Sequence, residues 1–127
     1  MKKNFLIINV LDTEDFNACH IKGSINVPFS RLDDFAKKLD RTTEIVVYCA
    51  NYMCPKSKKA WYMLQALGFT NVKAYEGGIR EWFQLGLPSE GACSAPHLKD
   101  QTQKPTPDPK VTTISAQQLA AKIKENN

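Results

Sequence analysis

Apolar and polar positions along the chain alternate between strand-like and helix-like periods. Phe5 to Leu11 is a nearly continuous apolar run that predicts a strand, and Asp12 stands where it caps a short helix running through Phe16. His20-Ile21-Lys22-Gly23 reads as a turn into a short strand, Ile25 to Val27, which Pro28 ends. Ser30 and Asp33 have the spacing of a capping pair, after which Leu32, Phe35, Ala36 and Leu39 share one helical face. Ile45-Val46-Val47-Tyr48 is the unbroken pattern of a strand covered on both faces of a parallel sheet. Beyond a polar loop, Pro55 suits the first turn of a helix with Ala60, Met63, Leu64 and Leu67 as its buried stripe and Gly68 at its C-terminal end. Val72 to Tyr75 predicts another strand, and Ile79, Trp82 and Phe83 mark a last short helix. Strands alternating with helices at these spacings predict an α/β fold with a mainly parallel central sheet and flanking helices.

That alternation occupies residues 1–88. Residues 89–111 hold four of the seven prolines and few apolar side chains, so this stretch is expected to stay unpacked as a linker. Residues 112–127 turn helical again: Ser115 caps, Gln118 closes a capping box, and Ile114 is placed to staple to Leu119. A length of 127 residues suits one domain, and 43% hydrophobic with 24% charged residues excludes wholesale disorder.

The net charge of +4 is too small for the usual footprint of a nucleic-acid binder, and its placement says more than its size. Between Ile45 and Tyr75 stand Lys56, Lys58, Lys59 and Lys73 without one Asp or Glu, while the rest of the chain balances. This bias favours a small anion near the loop that follows Tyr48. No apolar run reaches the about 18 residues needed to cross a bilayer, so no membrane association is expected. Lys2, Lys3 and the short apolar stretch after them have the look of a leader, but Asp12, Glu14 and Asp15 follow with no small-residue cleavage site, so a strand is the better reading. Cys19, Cys49, Cys54 and Cys93 are too few and too irregular for a secreted disulfide scaffold; the expected setting is the cytoplasm, with free thiols. His20 and His97 are isolated, which leaves no zinc-site spacing.

In open α/β sheets, ligands bind beyond the carboxyl ends of the strands, and Cys49 ends the most buried-looking strand just ahead of a helix. Unpaired N–H groups at a helix N-terminus stabilise a thiolate, and the nearby lysines push the same way. A nucleophilic cysteine facing an anionic substrate is one reading of this position. A buried cysteine closing a core strand is the other, and position and charge leave both open.

Phe5 to Pro28, FLIINVLDTEDFNACHIKGSINVP, resembles the first half of rhodanese-like domains, including their H-I-x-G-[AS]-I-N-x-P run. IVVYC at 45–49 and KKAWYMLQALGFTNVKAYEGGIREWFQLGLP at 58–88 resemble the second half. The resemblance implies a rhodanese-like three-layer fold with Cys49 at the catalytic position. It implies a sulfurtransferase in which the Cys49 thiolate takes a sulfane sulfur from a small anionic donor such as thiosulfate and passes it to a thiol or sulfur-carrier acceptor. Ala50, Asn51, Tyr52, Met53, Cys54, Lys56 and Ser57 would then form the substrate loop, with Lys56 steering the anion. No metal, organic cofactor or nucleic acid is implied.

Departures from the family pattern matter as well. Related phosphatases need Cys-x5-Arg, whose arginine clamps a phosphoryl group, and Pro55 stands in that place here. Counted from Cys49 to Gly68, the loop and helix are about two residues longer than in the commonest single-domain sulfurtransferases, and the loop lacks their usual glycine and arginine. It also brings Cys54, either a resolving thiol that expels sulfide and closes a disulfide with Cys49, or a sulfur merely packed under the loop. Asn9-Val10-Leu11 replaces the family's Asp-Val-Arg. Cys19 is expected to be a packed thiol, Cys93 an exposed thiol of incidental reactivity, and His20 a hydrogen-bonded turn residue. Ile114 to Leu119 resembles the I-S-x-x-E-L opening that normally precedes the first strand. It is open to three placements: folded back on its own core, exchanged with a second copy in a homodimer, or starting an incomplete second domain. Besides the transferase, two other functions fit: thiol redox chemistry through Cys49 and Cys54, and a non-catalytic binding module.

Overall fold

The computed structural model describes residues 5–99 and 108–125, apart from the side chain of residue 97. In chain order the elements are β1 (Phe5–Asn9), α1 (Thr13–Ala18), β2 (His20–Ile21), β3 (Ile25–Asn26), α2 (Leu32–Lys37), β4 (Glu44–Tyr48), α3 (Lys56–Ala66), β5 (Val72–Tyr75), α4 (Gly78–Gln84), β6 (Ser89–Glu90) and α5 (Ala116–Glu125), with 3-10 turns at Phe29–Arg31 and Pro96–Lys99. The main sheet has the order β3-β1-β4-β5 with every pair parallel, and β2 and β6 form a separate antiparallel pair. Side chains alternate across this sheet. Ile8, Ile45, Val47, Val72 and Ala74 pack with α2 and α3 residues such as Leu32, Ala60 and Leu64, while Ile7, Val46, Tyr48 and Tyr75 pack with Ile79, Trp82 and Leu119 on the opposite face. The result is the expected three-layer α/β arrangement, with β4 buried along its whole length.

Local chemistry moves several predicted boundaries. β1 stops at Asn9 because the Asn9 side-chain oxygen takes the Leu11 N–H at 2.9 Å and bends the chain there. Asp12 occupies the start of α1 without a side-chain cap, and the helix runs on to Ala18 rather than ending at Phe16. Ser30 lies inside the first 3-10 turn, so the Ser30–Asp33 pair does not cap α2; Asp33 accepts the Asp34 N–H instead. The end of α3 follows expectation. Gly68 has φ +100°, its N–H bonds the Gln65 carbonyl, and the Phe69 N–H bonds the Leu64 carbonyl, the paired bonds of a glycine-terminated helix.

The larger correction concerns residues 89–111. The described part of this stretch is packed on the core: β6 pairs with β2, Leu98 and Val111 are buried, and the Gln84 side-chain amide bonds the Leu98 carbonyl at 2.8 Å. Single apolar residues suffice because each docks onto a core that the preceding elements have already built. Pro105 and Pro107 lie outside the described residues. Cys93 is not an exposed thiol, nor is Cys19 a free packed one; the two form a disulfide across 74 residues of chain. This pairing removes the premise of four free thiols on which the expected cytoplasmic setting rested. Among the described residues, no helix is long and apolar enough to cross a membrane.

The C-terminal segment lies on the outer edge of β5. The Ala74 N–H bonds the Thr112 carbonyl at 2.8 Å and the Ile114 N–H bonds the Ala74 carbonyl at 3.1 Å, extending the sheet by one parallel bridge at Thr113. The capping box is present: the Gln118 N–H bonds Ser115 Oγ at 3.1 Å and the Ser115 N–H bonds Gln118 Oε1 at 3.0 Å. Ile114, Ala116 and Leu119 are buried beside Tyr48 and Tyr75, and Lys122 pairs with Glu44 at 2.6 Å. Leu119→Ala should therefore lower folding stability by about 2–5 kcal/mol, read from urea denaturation. An unchanged midpoint would mean that α5 is not part of the cooperative unit.

Candidate functional site

β4 delivers Cys49 to the carboxyl edge of the sheet, and α3 begins at Lys56. Between them the chain folds back on itself. The Cys54 N–H bonds the Asn51 carbonyl at 3.2 Å, and the Met53 N–H bonds Asn51 Oδ1 at 2.8 Å, so a tight turn returns Cys54 to Cys49. Cys49 Sγ lies 3.5 Å from the Cys54 carbonyl oxygen, to which its S–H donates, and the two thiols are close enough to push each other's pKa in opposite directions. Both cysteines are free thiols.

The floor of the loop is set by α4. The Ile79 N–H bonds the Cys49 carbonyl and the Arg80 N–H bonds the Ala50 carbonyl, each at 3.0 Å. Such an approach requires glycine at position 78, where φ is +65° and an added Cβ would come within 2.4 Å of the Cys49 carbonyl oxygen. One turn further along α4, Glu81 accepts hydrogen bonds from Tyr52 at 2.7 Å and Tyr75 at 2.8 Å, pinning the outer limb of the loop. Burial, then the Glu81 carboxylate, pushes both phenols up, so they stay neutral donors.

The two thiols divide their roles unequally. Cys49 is 1% exposed, and its hydrogen bond to Cys54 together with burial holds it protonated, against the smaller pull of the Ser57 hydroxyl and N–H. Cys54 is partly exposed. The Cys49 thiol, the Lys56 and Ala50 N–H groups and the Lys56 charge lower its pKa to about 6. The helix N-terminus thus acts on Cys54, which corrects the expectation of a resting thiolate on Cys49: that sulfur sits too deep, beside a competing thiol.

Of the expected loop residues, Ala50, Cys54, Lys56 and Ser57 meet around the sulfurs. Asn51 shapes the turn, Tyr52 turns away to Glu81, and Met53 is 61% exposed. The lysine bias is also partly answered by acids outside the segment: Lys58 pairs with Glu76 at 3.5 Å and Lys73 lies 3.9 Å from Glu44. Gly78, Glu81 and Tyr75 were not singled out from the sequence, although the Gly77-Gly78 pair just after a strand was a visible signal of close backbone approach. His20 is hydrogen-bonded as expected, with Nδ1 2.8 Å from the Phe16 carbonyl and its ring stacked on Phe16, but it lies in β2, paired with Glu90 of β6, rather than in a turn. Among the described residues no three His, Cys, Asp or Glu side chains gather as a metal cluster.

A parallel α/β sheet whose central strand ends in a cysteine, with the next helix starting above it, belongs to the class of open α/β domains whose ligand sites lie at the carboxyl edge of the sheet. Within that class, the family model for the Rhodanese-like domain matches residues 1–85, and the chain belongs to this family. It is 34% identical over 87 residues to the HTH-type transcriptional regulator Rv0324 of Mycobacterium tuberculosis; the match takes in 68% of this chain but only 38% of the regulator. It is 26% identical over 81 residues to the thiosulfate sulfurtransferase GlpE of Coxiella burnetii, covering 64% of this chain and 74% of that protein. The solved Rhodanese_3 like domain of the Alr3790 protein from Anabaena superposes with a TM-score of 0.62 at 32% identity, over 68% of this chain and 92% of that one.

Two outcomes follow from this geometry. Gly78→Ala should cost at least about 1–3 kcal/mol, because the new methyl group displaces the Cys49–Ala50 backbone; a wild-type denaturation midpoint would disprove the close approach. In native protein, iodoacetamide should label Cys54 ahead of Cys49, with a rate that rises as pH increases through about 6 and then levels off. A midpoint near the ordinary thiol value of about 8.5 would refute the assignment.

Proposed function

We propose that the protein is a sulfurtransferase that takes a sulfane sulfur from a small anion such as thiosulfate and hands it to a thiophilic acceptor, a small thiol or a sulfur-carrier protein. The observation that carries this reading is the position of Cys49 at the end of β4, in contact with a second thiol and with the N–H groups that open α3. Relatives named thiosulfate sulfurtransferases support it. As the donor enters, Cys54 accepts the Cys49 proton. The Cys49 thiolate then attacks the outer sulfur of thiosulfate, the sulfur–sulfur bond breaks, and sulfite leaves with the electron pair. Cys49 is left as a persulfide, whose charge the Ser57 hydroxyl and N–H and the Lys56 side chain stabilise.

Mutation separates the roles. Cys49→Ser should abolish sulfite release from thiosulfate. Lys56→Gln, which removes an attracting charge, should raise KM several-fold with less effect on kcat. Sulfite production that survives in Cys49→Ser would overturn the reading.

A further inference from the structure

The Asn51–Cys54 turn does more than supply a base for sulfur uptake: it folds Cys54 back against Cys49, whose S–H donates to the Cys54 carbonyl. A carrier that only shuttles a persulfide to an outside acceptor is ill served when its base is a second sulfur nucleophile beside the first, because that neighbour competes for the same sulfur. The contact is built rather than incidental. Two hydrogen bonds accepted by Asn51 close the turn, Tyr52 anchors its outer limb to Glu81, and Gly78 lets α4 hold Cys49 and Ala50 from below. Cys49 is buried, which shields a persulfide there from bulky acceptors, whereas Cys54 reaches solvent on one side and Cys49 on the other.

From this arrangement we infer a further activity: Cys54 resolves the Cys49 persulfide within the loop, releasing hydrosulfide and closing a Cys49–Cys54 disulfide. The step rests on the sulfurtransferase reading, which supplies the persulfide. The proton that Cys54 took from Cys49 moves to the terminal sulfur. The Cys54 thiolate attacks Cys49 Sγ, a new sulfur–sulfur bond forms between the two side chains, and the persulfide bond breaks with its electron pair leaving on HS⁻. The low pKa of Cys54 keeps the attacking sulfur ionised near neutral pH. A small thiol or dithiol reductant then reopens the disulfide and is itself oxidised. Over the cycle, thiosulfate and two thiol groups give sulfite, hydrogen sulfide and one disulfide, so atoms and electrons balance. The Cys19–Cys93 disulfide, far along the chain from the loop, takes no part.

The test uses the full chain with Cys19–Cys93 oxidised and the loop thiols reduced, mixed with thiosulfate in the absence of any added thiol. Sulfite and hydrosulfide are measured alongside intact mass. Wild type should release one sulfite and one hydrosulfide per chain and end two hydrogens lighter, the loss mapping to the tryptic peptide Thr42–Lys56, which contains both cysteines. Cys54→Ser and Cys54→Ala, which lose the base that assists the first step, should release sulfite more slowly than wild type, end one sulfur heavier, and yield hydrosulfide only when dithiothreitol is added. A wild-type protein that keeps the extra sulfur and releases no hydrosulfide would overturn the resolving role while leaving the transferase reading intact. Sulfur uptake by Cys49→Ser would overturn the order of the two cysteines. No sulfite from wild type or from either Cys54 variant would defeat the transferase reading and this one with it.

Discussion

The close approach of α4 to the end of β4 is the constraint on which the rest of the structure depends. Gly78 has no side chain to hold the two apart, so the Ile79 and Arg80 N–H groups satisfy the Cys49 and Ala50 carbonyls where the central strand runs out of sheet partners. That contact sets the floor of the cysteine loop. It also brings Glu81 within reach of Tyr52 and Tyr75, and it places Ile79 and Trp82 over Tyr48 in the second core. Backbone geometry at one glycine thereby governs loop, sheet edge and core together.

Within that frame the chemistry is decided by depth. Two neighbouring thiols do not both ionise readily, and the negative charge settles where N–H donors and a lysine are nearest. Cys54 takes it and Cys49 keeps the proton, the arrangement on which the proposed chemistry draws when it uses the outer cysteine first as base and then as nucleophile toward the inner one. The acids that flank the lysine-rich stretch temper its charge. Lys58 is directed to Glu76 and Lys73 toward Glu44, so Lys56 is the lysine whose charge acts on the loop sulfur.

The periphery is assembled from chain that looked unpromising. Residues 112–114 cover the β5 edge, which otherwise presents unpaired backbone groups, and α5 completes the apolar layer over Tyr48 and Tyr75. The Cys19–Cys93 disulfide fastens the segment after β6 to the end of α1. Both devices add order to proline-rich sequence with little hydrophobic content of its own.

Local rules were enough for the elements. The β-branched run of β4, the stripe and glycine stop of α3, and the Ser115–Gln118 box depend on neighbours a few residues apart, and each stands in the structure. The motifs at 5–28 and 45–88 made the family legible, and the end-of-strand position singled out Cys49. Local rules failed where the deciding partner is distant in sequence. Nothing near Cys93 announces Cys19, nothing near Lys58 announces Glu76 or near Lys73 announces Glu44 as a counter-charge although both acids flank the Ile45–Tyr75 stretch, and nothing in the loop announces the glycine of α4 beneath it. The proton distribution between Cys49 and Cys54 belongs to the same group. Spacing brings two thiols into one loop, but only folding buries one and leaves the other beside N–H donors, and it is this difference in desolvation and hydrogen bonding that assigns their roles.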